Sequence, residues 1–221
     1  MGMLARLVLI CWLTLASAFA ASTNFFELDP ARFQSLAAQE IRSDTINHEL
    51  LGAAILRETN ERRAKKGFPP LKQEPKATEA AKVQSEIMRA RGSISHENPD
   101  NARYRTLDLR VKSVGLNYRL IAENVATAFG LQYQSGTRFY PMRENGRTVF
   151  RYKPGGPPIP PHTYATFSKA LIDAWMNSKG HRENILRKEA QYLGAYCAPA
   201  NNKDGEMPMF YCTQVFFTPL K

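Results

Sequence analysis

Apolar residues recur at helical spacing in three stretches of the chain. Residues 44–66 have apolar positions three and four apart and end at two lysines, Gly67 and two prolines. Residues 77–92 contain a second stripe, formed by Ala80, Val83, Ile87 and Ala90. Residues 164–180 contain a third, formed by Phe167, Ala170, Leu171, Ala174 and Trp175. Each stripe predicts an amphipathic helix, with Gly92 and Lys179-Gly180 as expected stops.

A shorter helix is predicted within an N-terminal extension at residues 21–43. In the stretch LDPARFQSLAAQEI, Asp29 can cap the helix and Pro30 suits its first position. Residues 44–221 then form the main domain.

Two apolar runs near the C-terminus predict strands. YLGAYCAP and MPMFYCTQVFF flank the polar loop ANNKDGE, and antiparallel pairing about this loop can place Cys197 opposite Cys212. We expect a disulfide between them in an oxidising compartment, and two buried free thiols are the alternative. LIAENVATAF, residues 120–129, is predicted to be a strand or a turn that enters a helix.

Residues 130–163 are predicted to be an inserted β-hairpin. Asn145-Gly146 lies between two segments of alternating aromatic and polar residues, the strongest short-range hairpin signal. A two-residue turn pairs Pro141 with Phe150 on an apolar face, while the opposite face is shared by Arg138, Arg151 and Lys153. The apolar face is expected to pack on its own domain or to act as a flap beside a cleft.

Residues 1–20 have the features of a secretory signal peptide. Arg6 precedes an apolar run from Leu7 to Leu15, and small residues follow in the A-x-A form of a cleavage site. The run is shorter than the ~20 residues that span a bilayer, so an uncleaved anchor is the weaker alternative. We expect a secreted or periplasmic protein with no transmembrane segment after signal cleavage.

The net charge of the chain indicates which classes of binding partner are expected. Cleavage leaves 201 residues, enough for one domain and an expected monomer, with 29 basic and 20 acidic residues and a formal charge of +9. A basic exported protein is attracted to anionic membranes, wall polymers or acidic polysaccharides. Nucleic acid is not expected as a partner, given the export signal and the lack of a nucleic-acid-binding motif.

Segments in a fixed order resemble the CAP superfamily: the cysteine-rich secretory proteins, antigen 5 and pathogenesis-related proteins that share the SCP domain. They are ILRETNERRAKKGFPPL, SISH, IAENVA, AWMNSKGHRENIL and YLGAYC with FYCTQVFF, and the similarity runs from about residue 46 to 217. The chain looks most like the bacterial branch of secreted single-domain members. The resemblance implies an α+β fold, a three-layer α-β-α sandwich with a small, mainly antiparallel sheet.

The resemblance also implies a shared cleft that contains His96, Glu123 and His181. A second glutamate of some eukaryotic members has no counterpart, because Ser178 stands near that position; Glu183 is a candidate substitute. Two imidazoles and a carboxylate form a plausible ligand set for Zn²⁺ or another divalent ion, with water at the open position. Without metal, a His–Glu pair can act as a general base and its orienting partner.

Three functional hypotheses result. The leading one is a binding or effector module for an anionic envelope or extracellular ligand, with lipid as one ligand class that the resemblance implies. The second is a metal-assisted hydrolase that uses His96, His181 and Glu123 with water as the nucleophile. It is the weaker of these two because one fold permits many uses of the same cleft. The third is a structural envelope protein with an inert cleft, held by its charge.

Overall fold

The computed structural model describes residues 23–203 and 205–220. The predicted signal peptide, residues 1–20, lies outside the described residues. Within the described ranges, no helix has both the length and the apolar composition that a membrane crossing requires.

The described residues form six α-helices and one short 3₁₀ turn, Ala102–Tyr104. The helices are α1 (Pro30–Ala37), α2 (His48–Ala64), α3 (Pro75–Arg91), α4 (Leu107–Ser113), α5 (Tyr164–Asn177) and α6 (Lys179–Ile185). The predicted caps are present: Asp29 accepts a hydrogen bond from the Arg32 amide, and Gly92 ends α3 in the left-handed conformation, with φ 68°.

Four strands form the central sheet and two form the inserted hairpin. They are β1 (Lys72–Gln73), β2 (Tyr118–Phe129), β3 (Tyr140–Glu144), β4 (Arg147–Arg151), β5 (Tyr192–Pro199) and β6 (Met209–Pro219). The sheet has the order β1-β5-β6-β2, in which only the short β1–β5 pair is parallel. The large apolar core lies between the sheet and α1, α2, α5 and α6, and a second cluster lies between the sheet, α3 and α4. The three-layer α-β-α sandwich is therefore confirmed.

Helix α3 buries a different face from the predicted one. Its buried side chains are Ala77, Ala80, Ala81, Gln84, Ser85 and Met88. Two of these are polar, and each has a buried partner: Ser85 Oγ lies 2.9 Å from Thr213 Oγ1, and Gln84 accepts a hydrogen bond from Asn98. A periodicity count that treats polar residues as exposed misses this face, because buried polar groups are tolerated once they are paired.

Residues 120–129 lie in β2, which confirms the strand alternative. Two further local predictions are corrected. Helix α2 begins at His48 rather than residue 44, because the Asn47 side chain caps it by accepting from the Leu50 amide. The chain does not leave helical structure at Gly180: Ser178, with ψ 128°, separates α5 from α6, and α6 contains Gly180 and His181.

The N-terminal extension packs as part of the main core. Phe33, Ala37 and Ile41 are buried in the large apolar cluster. The guanidinium of Arg57 lies 4.1 Å from the centre of the Phe33 ring, and the Ile41 amide donates to His162 O at 2.8 Å. The predicted boundary at residue 43 thus separates two sequence segments that share one core.

The predicted disulfide is present. β5 and β6 pair antiparallel with Cys197 opposite Cys212, and the two sulfurs are bonded. Both residues are fully buried, so the bond links neighbouring strands inside the core.

The inserted hairpin has the predicted register. Pro141 lies opposite Phe150, and the turn residues Asn145 and Gly146 have φ of 49° and 77°. Phe150 is buried in a small apolar cluster with Ile159 and Met207, separate from the two clusters that flank the main sheet. Phe150 therefore packs on its own domain, as one of the two sequence hypotheses stated, whereas its cross-strand partner Pro141 is exposed.

We expect the domain to fold without the hairpin. The ends of the insertion are already hydrogen-bonded, since the Gln132 amide donates to Pro160 O at 2.8 Å. Replacement of residues 133–159 by an Asn-Gly pair should therefore leave a cooperative thermal transition, measured by circular dichroism, because the main core clusters remain. Loss of the cooperative transition would show that the hairpin cluster is part of the folding unit.

Candidate functional site

The candidate site lies at the free edge of the sheet, where β2 is the outermost strand. Successive strand residues point to opposite faces, so Glu123 faces α4 while Asn124 faces α6. Asn184 Nδ2 donates to Glu123 O and Trp175 Nε1 to Val125 O, which satisfies two backbone carbonyls of this edge. The two helical layers therefore meet around one strand edge, and distant parts of the chain converge there.

His96 and Glu123 are in direct contact. His96 Nδ1 lies 2.9 Å from Glu123 Oε1. The Glu123 side chain is only 3% exposed, whereas that of His96 is 56% exposed. Because the carboxylate can only accept, Nδ1 carries the proton in this contact, and the free ring atom is Nε2.

Arg110 is the functional residue that sequence reasoning missed. It lies on α4, its side chain is fully buried, and its Nη2 is 2.7 Å from Glu123 Oε2. The same guanidinium also donates to the backbone oxygens of His96 and Tyr104. Arg110 therefore holds the carboxylate and the histidine segment together. No spacing in the sequence signals this, because the pairing depends on how α4 packs against β2.

The loop that contains His96 is fixed by side chains of its own neighbourhood. Asn98 is buried and donates to Gln84 Oε1 and to Tyr104 O. Ser95 Oγ donates to Glu97 O at 2.7 Å and accepts from the Glu97 amide at 3.0 Å. Ser95 is thus a turn-forming residue, and Glu97 contributes only backbone atoms to these contacts.

His181 reaches the same edge from α6. Its backbone oxygen accepts from Asn124 Nδ2 at 3.2 Å, and its ring lies edge-on to Trp175 with centroids 6.5 Å apart. Arg182 Nη1 donates to Met176 O, which ties α6 to the end of α5. Glu183, the candidate substitute for the missing glutamate, is exposed on this helix.

The two histidines have opposite electrostatic environments. The hydrogen bond to Glu123 raises the pKa of His96 above its ordinary value. Burial, and then the charge of His96, lower the pKa of His181. The structure thus brings His96 into contact with Glu123 and places His181 near the same strand edge, with the pKa of His96 raised and that of His181 lowered. Such a pair can offer both a proton donor and an uncharged nitrogen to one ligand.

The residues fit a metal ion only in part. Both Glu123 oxygens are engaged, one by His96 and one by Arg110, so the carboxylate orients His96 rather than presenting a free ligand atom. Among residues 23–203 and 205–220, no three His, Cys, Asp or Glu side chains are grouped closely enough to hold a metal. The protein ligands for a divalent ion would be His96 Nε2 and His181, and water would complete the coordination.

We expect the contribution of His96 to stability to fall as pH rises. Its pKa is raised in the folded state, so the stabilisation is complete below the unfolded value of about 6.5 and is lost as pH rises through the folded value. The difference in free energy of unfolding between the single variant His181→Gln and the double variant His96→Gln/His181→Gln isolates the contribution of His96. This difference should be larger at about pH 5.5 than at about pH 8.5. Urea titrations with chelator present measure this difference.

His162 provides the matched control for this pH dependence. Burial lowers the pKa of His162, so its contribution should be present above about pH 6.5 and be lost at lower pH. His162→Gln in the same background should show the opposite trend. Equal trends for the two histidines would contradict the assignment of the His96–Glu123 hydrogen bond.

These features define a class of protein: an α-β-α sandwich whose edge strand contains the glutamate of a His–Glu–His cleft. The family model of the CAP proteins, the cysteine-rich secretory protein family, matches residues 56–216, and the chain belongs to this family.

Individual relatives are distant. The protein YkwD of Bacillus subtilis is 25% identical over 136 residues, which cover 62% of this chain and 38% of YkwD. The chain thus spans well under half the length of that relative. Among solved structures, an extracellular SCP-domain protein from Bacillus anthracis is 20% identical, with a TM-score of 0.49, over 86% of this chain and 44% of that one. An outer surface protein from Borrelia burgdorferi is 15% identical, also with a TM-score of 0.49, over 75% of this chain and 90% of that one.

Proposed function

We propose that this CAP-family protein is a secreted or periplasmic binding module whose cleft of His96, His181 and Glu123 receives an anionic ligand of the envelope or extracellular space. The observation that carries the proposal is the His96–Glu123–Arg110 chain. A buried arginine and a nearly buried carboxylate hold an exposed imidazole in one orientation, with Nε2 free to meet a ligand.

The electrostatics support an anionic ligand. The Arg110 and Glu123 charges compensate each other, so protonation of His96 leaves the cleft with a net positive charge. An approaching anion favours the protonated form of His96, and the ring N–H of His181 can donate a second hydrogen bond to it. Lipid headgroups and acidic wall polymers both supply such an anion.

The test follows the two histidines directly. Labelled protein is titrated with three probes: phosphatidylglycerol micelles, solubilised peptidoglycan fragments and inorganic phosphate. Binding to the cleft should shift the ring NMR signals of His96 and His181, and His96→Ala/His181→Ala should bind the same probe at least about tenfold more weakly, the effect of losing one charge-assisted hydrogen bond. A probe that binds the double variant as tightly as the native chain counts against the cleft.

A metal-assisted hydrolase is the second candidate. Two imidazoles with an orienting carboxylate could hold Zn²⁺, which would supply an activated water. Calorimetric Zn²⁺ titration of the native chain and of His96→Ala/His181→Ala tests this. Zn²⁺ binding that the double variant loses, together with hydrolysis of p-nitrophenyl acetate by the zinc-loaded chain, would favour the enzyme. A native chain that binds no Zn²⁺ would remove it.

A structural envelope protein with an inert cleft is the third candidate. It predicts association with anionic wall or membrane preparations that weakens as salt rises and that does not depend on either histidine. Association that persists unchanged at high salt would contradict it.

A further inference from the structure

The outer face of the inserted hairpin has a composition unlike that of a solvated strand pair. Because Phe150 is buried in the small apolar cluster, the alternate residues of β3 and β4 lie on the opposite face of the hairpin, which we call the outer face. This outer face consists of Tyr140, Met142, Glu144, Arg147, Val149 and Arg151.

Cations surround this face. Arg151 Nη2 binds both oxygens of Glu144 at 2.8 Å, so these two charges compensate each other. Arg147 is exposed beside the turn, and Arg138 is exposed with its guanidinium 5.3 Å from the centre of the Tyr140 ring. Lys153 is exposed two residues beyond β4. Arg138, Arg147 and Lys153 therefore supply three charges that no carboxylate of the described residues pairs with.

An apolar centre lies between these cations. Met142 and Val149 are direct cross-strand partners, and Met142 is 37% exposed. Tyr140 adds an aromatic ring one register step away, beneath Arg138. A solvated face gains nothing from an exposed methionine, whereas a surface that enters the headgroup region of a bilayer gains from apolar and aromatic groups flanked by cations.

We infer that the outer face of the hairpin is a docking surface for an anionic lipid bilayer. Charge complementarity selects anionic headgroups, and the Met142–Val149–Tyr140 centre selects a lipid interface over a soluble polyanion, which offers no apolar phase. This inference adds a partner for the hairpin to the exported location in the proposed function, and it does not use the histidine cleft.

The test is co-flotation of the full mature chain with vesicles at low salt. The native chain should partition onto vesicles of phosphatidylglycerol and phosphatidylcholine and not onto phosphatidylcholine alone. Arg138→Gln/Arg147→Gln/Lys153→Gln should lower the partition coefficient about 100-fold, since each cation near an anionic surface contributes about fivefold. Met142→Ser should lower it severalfold with no change in charge.

Matched variants keep the inference falsifiable. Lys65→Gln/Lys66→Gln/Lys188→Gln removes the same net charge from exposed positions outside the hairpin and should lower partitioning less than about tenfold. An equal loss in both triple variants would show attraction by overall charge only and would overturn the docking surface. The docking surface would also be overturned if Met142→Ser partitioned onto vesicles as well as the native chain does, or if the native chain did not bind anionic vesicles.

One further variant separates this inference from the proposed function. His96→Ala/His181→Ala should float with anionic vesicles as the native chain does. Loss of flotation in this variant would assign lipid contact to the cleft and overturn the hairpin surface. Native flotation, combined with failure of the cleft titrations, would leave the hairpin surface standing without the cleft proposal.

Discussion

Arg110→Met is expected to lower the free energy of unfolding by about 3–5 kcal/mol, the usual cost of leaving one partner of a buried ion pair without its counter-charge. Glu123 has a side chain only 3% exposed, and Arg110 is its one cationic partner that is charged at every accessible pH. Methionine keeps much of the arginine volume, so the loss reports on the unpaired carboxylate rather than on a cavity. Urea unfolding at neutral pH measures the change.

Two companion variants identify the cause. Arg110→Met/Glu123→Gln removes both charges, so it should recover about 2 kcal/mol or more of the loss, because no unpaired buried charge remains. Arg105→Met removes an exposed arginine that donates to Pro99 O, and it should change stability by less than about 0.5 kcal/mol. A double variant no more stable than Arg110→Met would contradict the ion-pair explanation.

Gly194→Ala is expected to destabilise the domain by about 3 kcal/mol or more, at the upper end of the cost of overpacking. Gly194 lies in β5, and a Cβ atom there would lie 2.1 Å from both Ala77 C and Thr78 N. These are backbone atoms of α3, so no side-chain rotation relieves the clash. The helix would have to move away from the sheet, which would disturb the cluster containing Ala77, Ala80 and Ala81. Thermal unfolding measures the effect.

Gly180→Ala is the matched control for Gly194→Ala. Gly180 lies in α6 with no atom within 4 Å of an added Cβ, and its φ is not in the left-handed region. Alanine there should stabilise the chain by about 0.4–1 kcal/mol through the smaller entropy of the unfolded state. The two substitutions are therefore expected to have opposite signs. A Gly194→Ala variant with native stability would show that α3 and β5 are not packed as closely as described.

Features set by local sequence were predicted well. The Asn145-Gly146 turn fixes the hairpin register because only residues tolerant of positive φ suit a two-residue turn. Asp29 and Gly92 mark helix ends through contacts within one turn of the chain. The Asp29 side chain accepts from the Arg32 amide, and the Gly92 amide donates to the Arg89 and Met88 oxygens. The pairing of Cys197 with Cys212 followed from two strands joined by one short loop. In each case the deciding contact joins residues close together in the chain.

Predictions failed where long-range contacts decide. The buried face of α3 contains Gln84 and Ser85, and their partners Asn98 and Thr213 belong to other elements. The ring of His48 in α2 stacks on Tyr196 of β5, with centroids 4.3 Å apart, a contact that the spacing within α2 does not indicate. A periodicity read from one segment contains no information about polar partners supplied by another.

By itself the sequence determined the longer helices, the C-terminal strand pair, the hairpin turn, the cystine pair and, through the family motifs, the candidates His96, Glu123 and His181. Only the tertiary structure decided how those candidates relate. In the folded protein one Glu123 carboxylate oxygen binds His96 Nδ1 and the other binds Arg110, which is the buried counter-charge. His96 Nε2 remains free to meet a ligand. The physical reason is that the hydrogen-bond partners and the burial of a side chain depend on which elements pack around it. Residues 96, 110, 123 and 181 meet at the β2 edge only once the sheet and both helical layers are assembled.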